Sequence, residues 1–281
     1  MIGQLYIDNI DIRATYGLYA TEQGYNELIQ WPSLKAVIYN DWHEEDGIEP
    51  DLSNPTLQSK SCRLSLNGIT SADKVDQLVD MLTSRVYHNI DAIEIGYRCT
   101  MRYVGMEPPT CDSGLWKITL ILAQDVFPLH TLSPDSTVEP YDDYSLDNAL
   151  FTDYGVRVLG GTQASITRTP DAKENLSRDI ASLNGLIYGN GKVSLKDYDA
   201  TLRCLLRAAT QEELWRNYMA LLRDITSPGP HYISVNSVRK RYPIFYQSSS
   251  VNKFYSSGKI WLEFDIEIKV FGKPTKYDNL R

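Results

Sequence analysis

The stretch Thr15-Tyr16-Gly17-Leu18 has a counterpart 138 residues later, Asp153-Tyr154-Gly155-Val156. The same offset pairs a further set of landmarks in unbroken order: Pro32 with Pro170, Lys35 with Lys173, Asp41 with Asp179, Asp46-Gly47-Ile48 with Asn184-Gly185-Leu186, and Leu64 with Leu202. Each match is weak alone because Gly, Pro and Asp are common turn residues. Their shared order at one spacing predicts a tandem duplication. The alternative is two unrelated β-rich domains with similar turns.

A one-residue shift then aligns Ser71-Ala72-Asp73-Lys74-Val75 with Thr210-Gln211-Glu212-Glu213-Leu214. Both stretches predict a helix N-terminus, because a Ser or Thr hydroxyl can cap free N–H groups and acids suit the first turn. Farther on, Ser113-Gly114-Leu115-Trp116 matches Ser257-Gly258-Lys259-Ile260-Trp261 with one extra residue. Each of these leads into a run of alternating apolar residues, which is typical of a half-buried strand.

The dipeptides Asp46-Gly47 and Asn184-Gly185 predict hairpin turns, because both central positions can take positive φ. One helix on a mostly antiparallel sheet is an α+β, mainly β, arrangement. We therefore predict two similar units at residues 1–128 and 150–281, the second with a C-terminal tail. The segment 129–149 between them is acidic, carries two prolines and lacks periodicity, so it is interpreted as a linker or extended arm.

Composition narrows the class of protein. Residues 1–140 carry 9 Lys and Arg against 20 Asp and Glu, a balance of −11, whereas residues 141–281 carry 19 against 16, a balance of +3. An acidic half argues against a general nucleic-acid-binding surface. The N-terminus shows no signal-peptide pattern, and no apolar run approaches the length that spans a bilayer. Cys62 and Cys204 lie in alternating runs, which indicates small buried residues rather than a disulfide framework.

No arrangement of residues predicts an active site. The four histidines, at 43, 88, 130 and 231, stand outside any metalloprotease or hydrolase motif. The acidic run His43-Glu44-Glu45-Asp46 is interpreted as a solvated hairpin tip, because its counterpart keeps none of the acids. We predict no catalytic, metal-binding or cofactor-binding residues, and no enzyme. A hydrolase with dispersed carboxylates stays open as a minor alternative, because the separation of two acids is invisible in a sequence.

The repeated unit resembles the tail-tube fold of bacteriophage tails, and most of all the N-terminal, ring-forming domain of distal tail proteins. The features that carry the resemblance run through the first unit in the order Tyr6-Ile7-Asp8-Asn9-Ile10-Asp11-Ile12, Tyr16-Gly17, Ala36-Val37-Ile38-Tyr39, Asp46-Gly47, Cys62-Arg63-Leu64-Ser65-Leu66, the helix from Ser71, and Leu115-Trp116-Lys117-Ile118-Thr119-Leu120. The resemblance implies two tandem tail-tube-like units, each an antiparallel β-barrel or curved sandwich with one packed helix.

The resemblance also implies a structural, non-catalytic tail component. Tube units join edge to edge into a six-unit ring around a DNA channel, so a chain of two units would form a trimer with pseudo-sixfold symmetry, or a hexamer. The expected partners are the chain itself and other tail or baseplate proteins, with DNA only as passing cargo and no membrane or small-molecule substrate. The expected location is the virion tail, assembled in the bacterial cytoplasm.

Distal tail proteins often carry a different accessory domain after the tube domain, whereas here the second half repeats the first. A duplicated tail-tube protein or a two-barrel hub component of the baseplate therefore fits equally well. The predicted subunit contacts are the hairpin tips and one basic run: Asp46, Gly47, Asn184, Gly185, Arg239, Lys240 and Arg241. The main alternative is a cytoplasmic two-domain binding protein that uses the cleft between its units.

Overall fold

The computed structural model describes residues 4–21, 23–129, 132–141, 143–174, 177–189, 191–256 and 258–277. His130, Thr131 and Asp142 of the predicted linker, Ser257 before the last predicted strand, and the last residues of the predicted C-terminal tail lie outside this part. None of the helices in the described ranges is both long and apolar enough to cross a bilayer.

The first unit contains ten strands and three helices within the described residues. They are β1 (Leu5–Ile7), β2 (Ile10–Asp11), α1 (Ile12–Tyr16), β3 (Leu18–Ala20), α2 (Asn26–Ile29), β4 (Tyr39–Asn40), β5 (Glu49–Pro50), β6 (Lys60–Ile69), α3 (Ala72–Thr83), β7 (Tyr87–Ala92), β8 (Tyr97–Met106), β9 (Thr110–Asp112) and β10 (Leu115–Gln124). A 3₁₀ turn at Ile93–Ile95 precedes β8.

The second unit repeats this order over its described residues. Its elements are β11 (Tyr144–Leu146), β12 (Ala149–Leu150), β13 (Val156–Val158), α4 (Thr162–Ile166), β14 (Ser177–Asp179), β15 (Leu186–Tyr188), β16 (Tyr198–Ala208), α5 (Gln211–Ile225), β17 (His231–Val235), β18 (Lys240–Tyr255), β19 (Ile260–Val270) and β20 (Thr275–Lys276). Strand β11 therefore begins inside the segment 129–149.

The strand order confirms two tandem units. The first curled antiparallel sheet runs β2-β1-β7-β8-β10-β6-β3, and the second runs β12-β11-β17-β18-β19-β16-β13. Replacing each strand by its counterpart converts one order into the other, with the long β18 standing for β8 and β9 together. The helices α3 and α5 pack their apolar residues into the core, with Leu78 and Leu221 fully buried. The predicted Thr210 cap is present, since its side chain accepts the N–H of Glu213, whereas Ser71 makes no side-chain cap.

The 138-residue offset has a physical origin in the Tyr-Gly motif. Gly17 and Gly155 both take positive φ, at 74° and 71°, as the chain turns into the next strand. A Cβ at Gly17 would lie 2.5 Å from the carbonyl oxygen of Ile69, and one at Gly155 would lie 2.7 Å from that of Arg207. Positions 69 and 207 are themselves 138 apart, so the same close approach excludes a side chain in both units.

The repeat extends to contacts that the sequences no longer share. Lys60 donates from Nζ to the carbonyl of Leu28 at 2.7 Å, at the end of α2. At the matching position Tyr198 donates its hydroxyl to the carbonyl of Ile166, at the end of α4. Both fix a short helix to the adjoining long strand. A different residue type therefore supplies the donor at this position in each unit. Burial lowers the pKa of the Lys60 ammonium group to about 8.

The register of the last strand corrects one predicted match. Leu64 pairs with Leu120 and Leu202 pairs with Ile266, so the offset in this strand is 146. Trp116 therefore corresponds to Leu262, and Trp261 lies on the opposite face of its strand. Because side chains alternate along a strand, one residue of slip moves a side chain to the other face. The Gly-Trp match between the units was wrong by that one residue.

The hairpins differ from the predicted turns. Gly47 and Gly185 take positive φ, but Asp46 and Asn184 do not, so neither tip is a two-residue turn with both centres left-handed. In the run predicted to be a solvated tip, His43, Glu44 and Glu45 are exposed but Asp46 is partly buried, and the adjoining Gly47 and Ile48 are buried. The reason, given below, is that this tip rests on the second unit.

We expect Gly17→Ala and Gly155→Ala each to lower the free energy of unfolding by at least about 1–2 kcal/mol, because each Cβ adds left-handed strain and meets a carbonyl. Gly105→Ala is the matched control, since no atom lies within 4 Å of its ideal Cβ. Chemical denaturation monitored by tryptophan fluorescence measures all three. Equal stability of the three variants would contradict this explanation of the repeat.

Candidate assembly interface

Trp31 lies between the two units and is only 1% exposed. Its ring stacks on Tyr218 of α5 at a centroid distance of 4.5 Å and meets Phe264 of β19 edge-on at 5.3 Å. Tyr246 of β18 also meets the Trp31 ring edge-on, at a centroid distance of 6.1 Å. The first unit therefore inserts its largest apolar side chain into the aromatic core of the second. Burial of an aromatic ring is among the largest contributions that one side chain makes to packing.

Backbone hydrogen bonds hold the segment around Trp31 in place. Its N–H donates to Ser249 Oγ at 3.2 Å, and the Leu34 N–H donates to the carbonyl of Gln247 at 2.8 Å. The Tyr246 hydroxyl donates to the carbonyl of Pro32 at 2.8 Å. Helix α2 contacts β6 of its own unit and β18 of the other. We name residues 26–52, which include hairpin β4–β5, the first arm.

The tip of the first arm rests on Lys173 of the second unit. The Lys173 side chain is 5% exposed, and its Nζ lies 2.5 Å from Asp41 Oδ1, 2.7 Å from the carbonyl oxygen of Trp42 and 2.5 Å from that of Gly47. An ammonium group offers three donors, and this arrangement satisfies all three. The geometry explains why a lysine can be buried here, since an unpaired buried charge is costly.

Two hydrogen bonds to the backbone of Leu195 also hold the tip of the first arm. The Gly47 N–H donates to the Leu195 carbonyl at 2.7 Å, and the Leu195 N–H donates to Asp46 Oδ1 at 2.9 Å. A Cβ at Gly47 would lie 1.8 Å from the carbonyl oxygen of Phe271, so only glycine fits. Asp46 and Gly47, predicted as subunit contacts, thus make a contact between units of one chain.

A second set of contacts lies about one turn away on α5, around Trp215. Trp215 donates from Nε1 to the carbonyl of Ile95 at 2.7 Å and packs on Tyr97 at a centroid distance of 4.9 Å. The described part of the linker follows the same helix: the Thr137 N–H donates to Glu213 Oε1 at 2.9 Å, and the Asp135 N–H donates to Asn217 Oδ1 at 2.8 Å. The linker is therefore bound along α5 rather than free.

The second arm, residues 164–190, has the same register as the first but a different environment. Ser177 pairs with Tyr188 as Tyr39 pairs with Pro50, which preserves the 138-residue offset. Asp179, Asn184 and Gly185 are exposed. Leu186 is 56% exposed, whereas its counterpart Ile48 is 8% exposed. Within the described part of the chain, no atom lies within 4 Å of an ideal Cβ at Gly185.

The basic run, Arg239 to Arg241, lies at the start of β18. Arg239 takes a left-handed conformation after the 3₁₀ turn Asn236–Val238. Lys240 and Arg241 pair with β17 on one side and β20 on the other, so they are not at a sheet edge. Lys240 lines a cavity of about 360 Å³ together with Asp46 and Gly47, whereas Asn184 and Gly185 do not.

Sequence reasoning missed a duplicated Asp–His pair. His88 Nδ1 lies 2.7 Å from Asp8 Oδ2, and His231 Nδ1 lies 2.8 Å from Asp147 Oδ2. In each pair Nε2 faces a backbone carbonyl, that of Leu82 or Ser227, and the other carboxylate oxygen accepts a backbone N–H. At His231, acceptors at both ring nitrogens suit the doubly protonated ring. The two histidines are 143 residues apart rather than 138, because α5 is longer than α3. A comparison at the 138-residue offset therefore does not align them.

The pairs tie the turn after the first strand to the region that follows the helix, and one group in each pair has a shifted pKa. Burial lowers the pKa of His231, but the hydrogen bonds to Asp147 and to the Ser227 carbonyl outweigh it, so the pKa is raised above 6.5. Burial likewise raises the pKa of Asp8, but hydrogen bonds from Asn89 and His88 outweigh it and lower the pKa.

Across the described ranges, no group of three or more His, Cys, Asp or Glu side chains is placed to hold a metal ion. No family model matches the chain, and no curated protein matches it. Among solved structures, the chain is similar to the Dit protein (gp 19.1) of phage SPP1, described as a paradigm of the hub adsorption apparatus in phages that infect Gram-positive bacteria. The identity is 8%, the TM-score is 0.33, and the alignment covers 96% of this chain and 98% of that one.

We expect Trp31→Ala to lower the free energy of unfolding by about 3–5 kcal/mol, the usual cost of deleting a buried aromatic ring. Trp42→Ala is the control from the same arm, because Trp42 is 51% exposed. Urea denaturation of both variants measures the difference. A loss at Trp31 no larger than that at Trp42 would contradict the view that this ring joins the units.

The raised pKa of His231 predicts a pH-dependent contribution to stability. That contribution is present below the unfolded pKa of 6.5 and is lost as pH rises through the folded value. We therefore expect Asp147→Asn to destabilise the protein more at about pH 5.5 than at about pH 8.5. Asp76→Asn, at an exposed helix position, controls for loss of charge. Denaturant titrations at both pH values test this, and an equal loss at the two would contradict it.

Proposed function

We propose that this chain is a non-catalytic structural subunit of a phage or prophage tail, of the distal-tail or tail-tube type. It assembles with copies of itself into a ring around a channel for DNA. The observation that carries the proposal is the contact inside the chain, where one unit inserts its arm into a second unit of the same topology. Two like units that meet through unlike surfaces form a head-to-tail pair.

Head-to-tail contacts generate a closed ring when their rotation closes. Each chain supplies two units, so a trimer provides a six-unit ring with pseudo-sixfold symmetry, and a hexamer is the larger alternative. The contact inside the chain differs from the edge-to-edge joining expected from the sequence, since the described strands of the two sheets do not pair with each other. An inserted arm takes the place of strand pairing.

The charge distribution supports a role in which DNA passes without binding tightly. The first half carries a balance of −11, and repulsion of phosphates by acidic walls limits adhesion. DNA is then cargo in the channel rather than a ligand. We propose assembly in the bacterial cytoplasm, with other tail or baseplate proteins as axial neighbours.

One observation favours the alternative, a two-domain binding protein. A groove of about 630 Å³ lies between the units and is lined by Tyr97, Phe127, Trp215 and Met219 among others. The same groove is also lined by Arg98, Gln124, Gln211, Glu212 and Arg216, and apolar walls combined with placed polar groups are typical of small-molecule sites. Quenching or a shift of tryptophan fluorescence by an apolar probe, saturating and lost in Trp215→Ala, would support this alternative. The absence of any saturable effect would leave the groove as part of the contact between units.

We expect the purified chain to sediment at high concentration as a closed oligomer whose mass is a multiple of 32.0 kDa, three for the trimer. Negative-stain electron micrographs of the same sample should show rings. Both measurements are needed, because the sedimenting species could be an open chain of subunits. A protein that is monomeric at every concentration and forms no ring would overturn the proposal.

A further inference from the structure

We propose that the second arm docks on the first unit of another copy of this chain, in the same way that the first arm docks on the second unit of its own chain. Lys35 of that other copy is the residue on which its tip rests. This inference deepens the proposed function and rests on it. The ligand is a second copy of the chain, identified by the repetition of a contact that the chain already makes with itself.

The receiving site on the first unit has the same backbone as the occupied site on the second. The Lys35 N–H donates to the Thr56 carbonyl just as the Lys173 N–H donates to the Ser194 carbonyl, both at 2.8 Å. The isolated bridges Leu34–Leu57 and Ala172–Leu195 also correspond at the 138-residue offset. Lys35 is therefore placed on its loop as Lys173 is, and the backbone of Leu57 is placed as that of Leu195 is.

Lys35 and Lys173 differ in whether an arm covers the side chain. Lys173 is buried beneath the first arm, whereas Lys35 is exposed and, among the described residues, has no ion-pair partner. The structure thus contains one docking site that an arm occupies, around Lys173, and a second site with the same backbone bonds that no arm of the same chain covers, around Lys35.

The second arm retains the groups that an occupant needs. Asp179 stands at the position of Asp41, Ile180 offers its carbonyl in place of Trp42, and Gly185 stands at the position of Gly47. Asn184 replaces Asp46 and keeps a side-chain oxygen that can accept the Leu57 N–H. Gly185 takes positive φ with open space around it, while Gly47 is enclosed by the second unit.

The second arm is also more apolar than the first. Leu183 and Ile187 occupy the positions of Glu45 and Glu49, and they are 54% and 51% exposed. In the docked first arm Glu45 and Glu49 stay exposed, whereas Ile48, the counterpart of Leu186, is buried. Docking in the same way therefore buries Leu186, which is 56% exposed within the chain.

The rotation between the two units indicates that the second arm docks on another copy of the chain. If a twofold rotation related the two units, the second arm would already cover Lys35 of its own chain. Lys35 is exposed, so the rotation is not twofold, and repeating it carries the second arm onto a third unit. A third unit can come only from another chain, and the contact is heterologous.

Chemical cross-linking tests the position directly. In a Cys111→Ser background, which removes the exposed native thiol, Lys35→Cys with Asp179→Cys is treated with a short bismaleimide. We expect a ladder of covalently joined chains on a denaturing gel. The matched control, Asp41→Cys with Lys173→Cys, should cross-link inside one chain and remain at the monomer mass, since these residues meet in the same molecule.

Charge reversal tests the interaction itself. Lys35→Asp or Asp179→Lys should weaken self-association by at least about tenfold, because the ion pair is desolvated on docking, whereas Lys74→Asp, at an exposed helix position, should leave it unchanged. Positions 35 and 179 are exposed in the free chain, so circular dichroism and thermal unfolding should be unchanged. Association that Lys35→Asp weakens no more than Lys74→Asp does would contradict the docking.

The outcomes separate the two proposals. Oligomers joined through positions 35 and 179 support both. Oligomers that form without this cross-link, and that charge reversal leaves unchanged, overturn the docking site and leave the ring-forming function standing. A chain that stays monomeric at every concentration and gives no cross-link overturns both.

Discussion

Burial of Trp31 in the second unit is the interaction on which the arrangement of the chain depends. Without that ring, the facing aromatic residues Tyr218, Tyr246 and Phe264 would line an apolar opening beside the middle of α5. With it, two units share one core, and the backbone bonds of the first arm hold the insertion in register. The tip can then reach Lys173, whose charge is compensated by three acceptors from the other unit.

The two units have diverged where they make different contacts and stayed alike where they make the same ones. Gly17 and Gly155 stay glycine because a carbonyl crowds both positions. Lys60 and Tyr198 differ because either can donate to the end of a short helix. Trp31 has Thr169 as its counterpart, which indicates that the second arm docks with a smaller residue at that position. The arms are therefore related in backbone form and unequal in the chemistry of their surfaces.

Much of the fold followed from the sequence, because an ungapped offset spans the strands and hairpins from Tyr16 to Leu66. The helices after Ser71 and Thr210 were also predictable from capping and periodicity. The register of β19 was not, since a tryptophan after a glycine gave a false match on the wrong face. The Asp–His pairs were hidden because α5 is longer than α3, which shifts their spacing from 138 to 143. The insertion of Trp31 was invisible, because one aromatic residue in a loop carries no sign of which unit will bury it.

The central claim is that the contact between units inside one chain is the pattern for the contact between chains. Cryo-electron microscopy of the assembled protein tests this most directly, through the rotations that relate successive units. The account predicts that the rotation from the first unit to the second within a chain is repeated from the second unit to the first unit of the next chain, with Lys35 buried beneath Asp179. Neighbouring chains that meet through another surface, with Lys35 left in solvent, would contradict it.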